Sequence, residues 1–128
     1  MTTGMNESAM QAAEKLFRAI ENGDVDAIRE IYSPTVKIWH NTDGLIQTLE
    51  QNLATLKWVI ANIKNIKYTE VRRQPTPNGF VQQHMLRGSF RGKEIALPAC
   101  IIADVEGGRI TRLDEYLDSA HTAVFVSR

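Results

Sequence analysis

Past about residue 63 the apolar side chains of this chain leave a mainly helical period for good, and that change constrains the fold more than any other feature. Upstream the spacing is three and four residues, as on a helix; downstream it is strand-like and broken by turn signals. Ala9, Met10, Ala13, Leu16, Phe17 and Ile20 give one apolar side to a helix over 9–20. Asn22-Gly23-Asp24 reads as a stop and an immediate restart, because Gly23 can take the left-handed closing conformation and Asp24 can cap a new helix. This second helix, Asp24 to about Tyr32, carries Val25, Ile28 and Ile31 and ends at Ser33-Pro34. A short β-rich stretch from Val36 to Asn41 is closed by Thr42-Asp43-Gly44. Thr48, with Gln51 three residues later, makes a capping box for a third helix with a stripe of Leu49, Leu53, Leu56, Val59, Ile60 and Ile63.

The rest reads as strands: Ile66 to Arg73, Phe80 to Phe90, Ile95 to Val105 and Ile110 to Asp118. Between them stand Gln74-Pro75-Thr76-Pro77-Asn78-Gly79, Arg91-Gly92-Lys93 and Gly107-Gly108, of which Asn-Gly is a strong hairpin signal. Residues 120–128 suit another short strand or a helix. Helices segregated from a strand meander imply an α+β fold, with three helices packed on one face of a curved antiparallel sheet. A strongly curved sheet of this kind is expected to form a barrel-like cone with a cavity at its open end, suited to a small hydrophobic molecule. At 128 residues the chain is expected to be a single domain, 1–128, with a core over about 8–119 and terminal extensions 1–7 and 120–128.

Composition narrows the function classes. Fifteen basic and fifteen acidic side chains give zero formal charge, so no general field draws the chain to nucleic acid or anionic lipid. A lone cysteine, Cys100, allows no internal disulfide and no cysteine-based metal site, and it reads as a small core residue. His40, His84 and His121 lack a paired ligand spacing, so no metal and no other cofactor is expected. The N-terminus shows no leader pattern and no apolar run approaches a membrane span, so a cytoplasmic location is expected.

Strand parity selects the candidate site. Phe80, Gln82, His84, Leu86 and Phe90 share one face of their strand, whereas Arg87 lies on the other and reads as an outer ion pair. Glu115 shares a face with Leu113 and Leu117, and a carboxylate set between leucines is costly unless paired or protonated. In one reading His84 and Glu115 merely find hydrogen bonds in the sheet interior. In the other they form an acid and a base whose values burial moves toward neutrality, as proton transfer on an apolar substrate requires. In Val36 to Asn41, Val36, Ile38 and His40 oppose Lys37, Trp39 and Asn41; neither set is cleanly apolar, so the inward face stays open.

Ile20-Glu21-Asn22-Gly23-Asp24, Gln83-His84-Met85-Leu86-Arg87-Gly88 and the segment Gly108 to Asp118 together resemble the SnoaL-like branch of the nuclear transport factor two-like superfamily. That superfamily includes polyketide cyclases, ketosteroid isomerases and limonene epoxide hydrolases, and the resemblance spans about Ser8 to Ser119. The isomerases hold an oxyanion with a tyrosine and a protonated aspartate, where this chain has Leu16 and about Pro98. At the epoxide hydrolase positions stand Trp39, Asn41, Gln82, His84 and Glu115, of which Asn41 is retained. The cyclases match best, with a histidine at His84 and an acid at Glu115. The resemblance implies a cofactor-independent aldol-type cyclase or isomerase in which Glu115 and His84 are catalytic, and Trp39, Asn41, Gln82, Leu86 and Leu113 hold the substrate. It also implies a homodimer packed through the outer sheet face. Non-catalytic binding of a lipophilic molecule, or epoxide hydrolysis through a water activated by His84 and Glu115, are the alternatives.

Overall fold

The computed structural model describes residues 2–122 and residue 125. In chain order the elements are α1 (Thr2–Asn22), α2 (Val25–Ile31), β1 (Tyr32–His40), β2 (Ile46–Gln47), α3 (Leu49–Asn62), β3 (Ile63–Pro75), β4 (Gly79–Phe90), β5 (Lys93–Glu106), β6 (Arg109–Leu117) and α4 (Ser119–Thr122). The tail expectation is met by a helix over Ser119–Thr122; its remainder, apart from residue 125, lies outside the described residues.

The local signals act as the sequence implies. Gly23 has a φ of 69°, and its amide and that of Asp24 bond back to Ile20 and Ala19, closing α1. The Asp24 carboxylate then accepts from the Ala27 amide at 3.1 Å and opens α2. Thr48 and Gln51 form the reciprocal capping box at α3. Tyr32, in contrast, begins β1 instead of ending a helix.

One curved six-stranded sheet, ordered β2-β1-β6-β5-β4-β3, supports the helices. The expected α+β fold with helices on a curved sheet is present, and two details differ. β2 and β3 remain as edges, so the sheet is not a closed barrel. β1 runs parallel to β6, pairing Ile38 with Leu113 and His40 with Glu115, so the sheet is mixed. These strands meet through no hairpin, so nothing in the connection requires opposite directions.

Curvature is concentrated in β3. Its register with β4 slips between Lys64 and Lys67 and again between Thr69 and Arg72, around Asn65 and Glu70 with φ of 57° and 53°. Each bulge bends the strand and resets which face the following side chains use. Gly79 has a different purpose from the turn its Asn-Gly context suggests. A Cβ there would sit 2.0 Å from the Ala103 carbonyl oxygen, so glycine lets β4 approach β5. Phe80, Leu16, Ile28, Ile38, Leu53 and Ile110 are sealed in the core between the concave face and the helices. Cys100 is half-buried on the outer-facing parity of β5 and is not part of that core.

Candidate functional site

A cavity of ≈ 330 Å³ lies between the sheet's concave face and α1 and α3. Leu16, Phe17 and Ile20 line it from α1, Leu56 and Val59 from α3, and Leu86, Leu97, Ile101 and Leu113 from the strands. The polar side chains in this wall include Glu115, His40, Tyr32, Tyr68, Gln47 and Asn52.

Glu115 occupies the position that alternation assigns to it. Its neighbours Leu113 and Leu117 also line the cavity, and the two flanking strands place His40 and Ile101 opposite it. Its Oε1 lies 3.0 Å from His40 Nε2, with side chains 21% and 17% exposed respectively. The imidazole that pairs with Glu115 is therefore His40, not His84. That hydrogen bond raises the His40 pKa above its ordinary value; burial opposes the rise, and the charges of Glu115 and Asp43 reinforce it.

A raised folded value means that the folded chain holds the His40 proton more tightly than the unfolded chain. The resulting stability is complete below about pH 6.5 and fades as pH rises through the folded value. The stability gap between wild type and a His40→Asn variant, read from denaturant unfolding, is therefore expected to be larger in mildly acidic than in alkaline buffer. A gap that widens toward alkaline pH would show His40 held neutral. His84 acts in the opposite sense, which is why the comparison is with the His40 variant.

Tyr32 and Tyr68 add two phenols to the cavity wall. Burial, and then the nearby Glu115 charge, push both well above the usual tyrosine range. Both are consequently O–H donors at neutral pH.

The other expected site residues divide into three groups. Leu86 and Leu113 line the cavity. His84 and Gln82 are buried on the concave side at 5% and 0% exposure and bond to each other at 2.8 Å, but they are not among the residues that line the cavity, which corrects the expectation that they meet the substrate directly. Trp39 and Asn41 lie outside the lining, which corrects their expected role as substrate contacts. The Trp39 ring packs on Tyr116 at 5.3 Å, and the two residues have outward parity on β1 and β6. The Asn41 amide donates to the Leu117 carbonyl at 3.0 Å and accepts from the Leu117 amide at 2.7 Å, clamping the end of the parallel pair. Arg87 makes its outer ion pair, to Glu70 at 3.0 Å. Leu16 lines the cavity, while Pro98 has the outward parity between Leu97 and Ala99, so neither position supplies an oxyanion donor.

Sequence reasoning missed His40, Tyr32 and Tyr68. Parity did group His40 with Val36 and Ile38, which are both buried, but Trp39 in the opposing set concealed which group faces inward. Among the described residues no three His, Cys, Asp or Glu side chains are gathered to hold a metal ion, and no helix is long and apolar enough to cross a membrane.

Solved structures with this architecture span several activities. A protein from Xanthomonas campestris pv. campestris, provisionally assigned as a polyketide cyclase, superposes with a TM-score of 0.82 at 18% identity, over 95% of this chain and 98% of that one. IdmH from Streptomyces antibioticus, likewise provisionally a polyketide cyclase, gives 0.79 at 18% identity, with 92% and 97% covered. An LEH-like epoxide hydrolase from M. tuberculosis gives 0.78 at 16% identity, with 93% and 89% covered. No functionally curated protein matches the sequence itself. The SnoaL-like domain family matches residues 13–113, nearly the whole span from the first helix into the last strand. The chain belongs to the SnoaL-like domain family.

Proposed function

We propose that this protein is a cofactor-independent acid–base enzyme acting on a small hydrophobic carbonyl compound, as an aldol-type cyclase or an isomerase. The observation that carries this reading is one carboxylate, Glu115, hydrogen-bonded to His40 at 3.0 Å within a largely apolar cavity of ≈ 330 Å³. That volume lies at the low end of small-molecule sites, about 300–1,000 Å³, so the substrate is compact.

In this scheme Glu115 takes a proton from the carbon next to the carbonyl. The C–H bond breaks, an O–H bond forms on Glu115, and negative charge develops on the carbonyl oxygen. Tyr32 and Tyr68 offer O–H donors to that oxygen, and their hydrogen bonds strengthen as the charge grows. Returning the proton to a different carbon completes an isomerisation. Attack of the enolate carbon on a second carbonyl, followed by protonation of the new alkoxide, completes a cyclisation. His40 fixes the carboxylate and balances its charge between the two transfers.

The reading is tested by incubating the protein in deuterium oxide with a panel of small hydrophobic 1,3-diketones and following the α-proton signals by NMR. Exchange faster than in buffer, and dependent on Glu115, is the expected result. No acceleration for any diketone, together with labelled diol formed from an epoxide in isotopically labelled water, would favour hydrolysis instead. Stoichiometric binding with neither reaction would leave a lipophilic carrier.

A further inference from the structure

The polar strip that β2 and α3 contribute to the cavity ends in an atom with no partner. Gln47, Asn52 and Thr55 all belong to the lining, and hydrogen bonds tie them in series. The series starts at the Gln51 carbonyl, which can only accept. Thr55 Oγ1 lies 3.2 Å from that oxygen and gives it the one proton a hydroxyl owns. Toward Gln47 the same hydroxyl can only accept, so Gln47 presents its amide nitrogen, at 3.2 Å. The Gln47 oxygen then faces Asn52, whose amide nitrogen donates to it at 2.9 Å. Asn52 is left with its Oδ1 outside the series. Turning over either amide, or both, would set acceptor against acceptor.

Among the described residues Asn52 Oδ1 is a sealed polar atom without a partner, in a side chain 3% exposed. A buried acceptor left unmet is costly, and native chains keep few of them. The surroundings select the donor that fits. Leu56 and Val59 continue the lining along α3 and carry no charge, and the series itself contains no carboxylate. An ammonium group would shed its hydration for an uncharged acceptor, and an amide N–H would bring a carbonyl needing a donor of its own. A hydroxyl brings neither burden. Leu56 stands one turn beyond Asn52, and helical side chains lean toward the N-terminus, so its flexible end covers the Asn52 turn.

We propose that Asn52 Oδ1 is the acceptor for a hydroxyl group of the bound molecule, with Gln47 and Thr55 as the positioning residues that fix its amide and Leu56 as the side chain that swings aside to admit the hydroxyl. The inference rests on the acid–base reading for placing a compact carbonyl compound in this cavity, and it narrows that class to hydroxylated ones. The carbonyl meets Glu115 on the sheet side, and the hydroxyl meets α3.

The test compares 4′-hydroxyacetophenone with 4′-methylacetophenone, which share a shape and differ in one donor, by calorimetric titration of the full-length protein. The ratio of the two affinities is expected to fall by about 3- to 10-fold in Asn52→Leu, the scale of one neutral hydrogen bond. Thr55→Val, at an exposed position, should lower the same ratio and Thr55→Ser should restore it. In ¹³C-labelled wild type the Asn52 Cγ resonance should move downfield with the hydroxyl compound only, a readout that stands even where Asn52→Leu fails to fold. A Cγ resonance that answers both compounds alike, or neither when both bind, overturns the proposal. So does a ratio that Asn52→Leu leaves unchanged while Glu115→Gln lowers it, since the hydroxyl then meets the carboxylate. A ratio unchanged in Thr55→Val overturns the positioning role. If neither compound binds, the cavity reading falls and takes this inference with it; if both bind with an unaltered ratio, this inference falls alone.

Discussion

Glu115→Gln is expected to lower turnover, read as diketone exchange or product formation, by about two to four powers of ten while ligand affinity is largely kept. Glutamine keeps the volume of glutamate and can still hydrogen-bond His40, so the wall between Leu113 and Leu117 stays filled. What it loses is the ability to take up and return a proton. A near-normal melting temperature with collapsed turnover is therefore the signature of a chemical role. A variant that turns over normally would remove Glu115 from the chemistry and leave the cavity a binding site. His40→Asn should act more mildly on rate, since it leaves the carboxylate in place.

Phe80→Ala is expected to destabilise the fold by about 3–5 kcal/mol, measured by denaturant unfolding with an unchanged slope. Phe80 is fully buried at the start of β4, directly after the glycine that brings β4 against Ala103. A backbone held this closely by its neighbour cannot settle into the vacated volume, so most of the cavity cost should be retained. A loss below about 1 kcal/mol would show that α1 collapses onto the gap. Together the two substitutions separate chemistry from architecture, because Phe80 lies outside the cavity lining and Glu115 lies within it.

How much of this was legible depended on whether a signal was local. The Thr48 and Gln51 capping box, the Gly23-Asp24 junction and the inward parity of Glu115 between two leucines are decided within a few residues, and each stands in the structure as read. The face of β1 was not decided locally. Val36, Ile38 and His40 turn inward because Ile38 and His40 register with Leu113 and Glu115 on a strand more than seventy residues away. Simple alternation also fails along β3. Two bulges each shift its parity, which is how Tyr68 comes to lie opposite Leu86 and Arg73 opposite Gln82, all on the concave side. Tyr32 was hidden differently: its helix-like spacing after Ile28 and Ile31 concealed the start of a strand at the next residue. His40 and Tyr68 were missed because pairing with other strands sets their orientation, and Tyr32 because a local spacing imitated a helix.

The placement of β6 between β1 and β5 also has a temporal consequence. During synthesis β1 emerges early, yet its long neighbour β6 follows more than seventy residues later, so until then one side of β1 stays unpaired. Contacts so distant in sequence impose a large loop-closure cost and slow folding. His40 and Glu115 come together only when β6 pairs with β1, so every shorter intermediate lacks that hydrogen bond. The same unsealed edge makes delayed chains vulnerable to wrong pairing, and a chaperone that shields it would raise the yield of active protein more than its final stability.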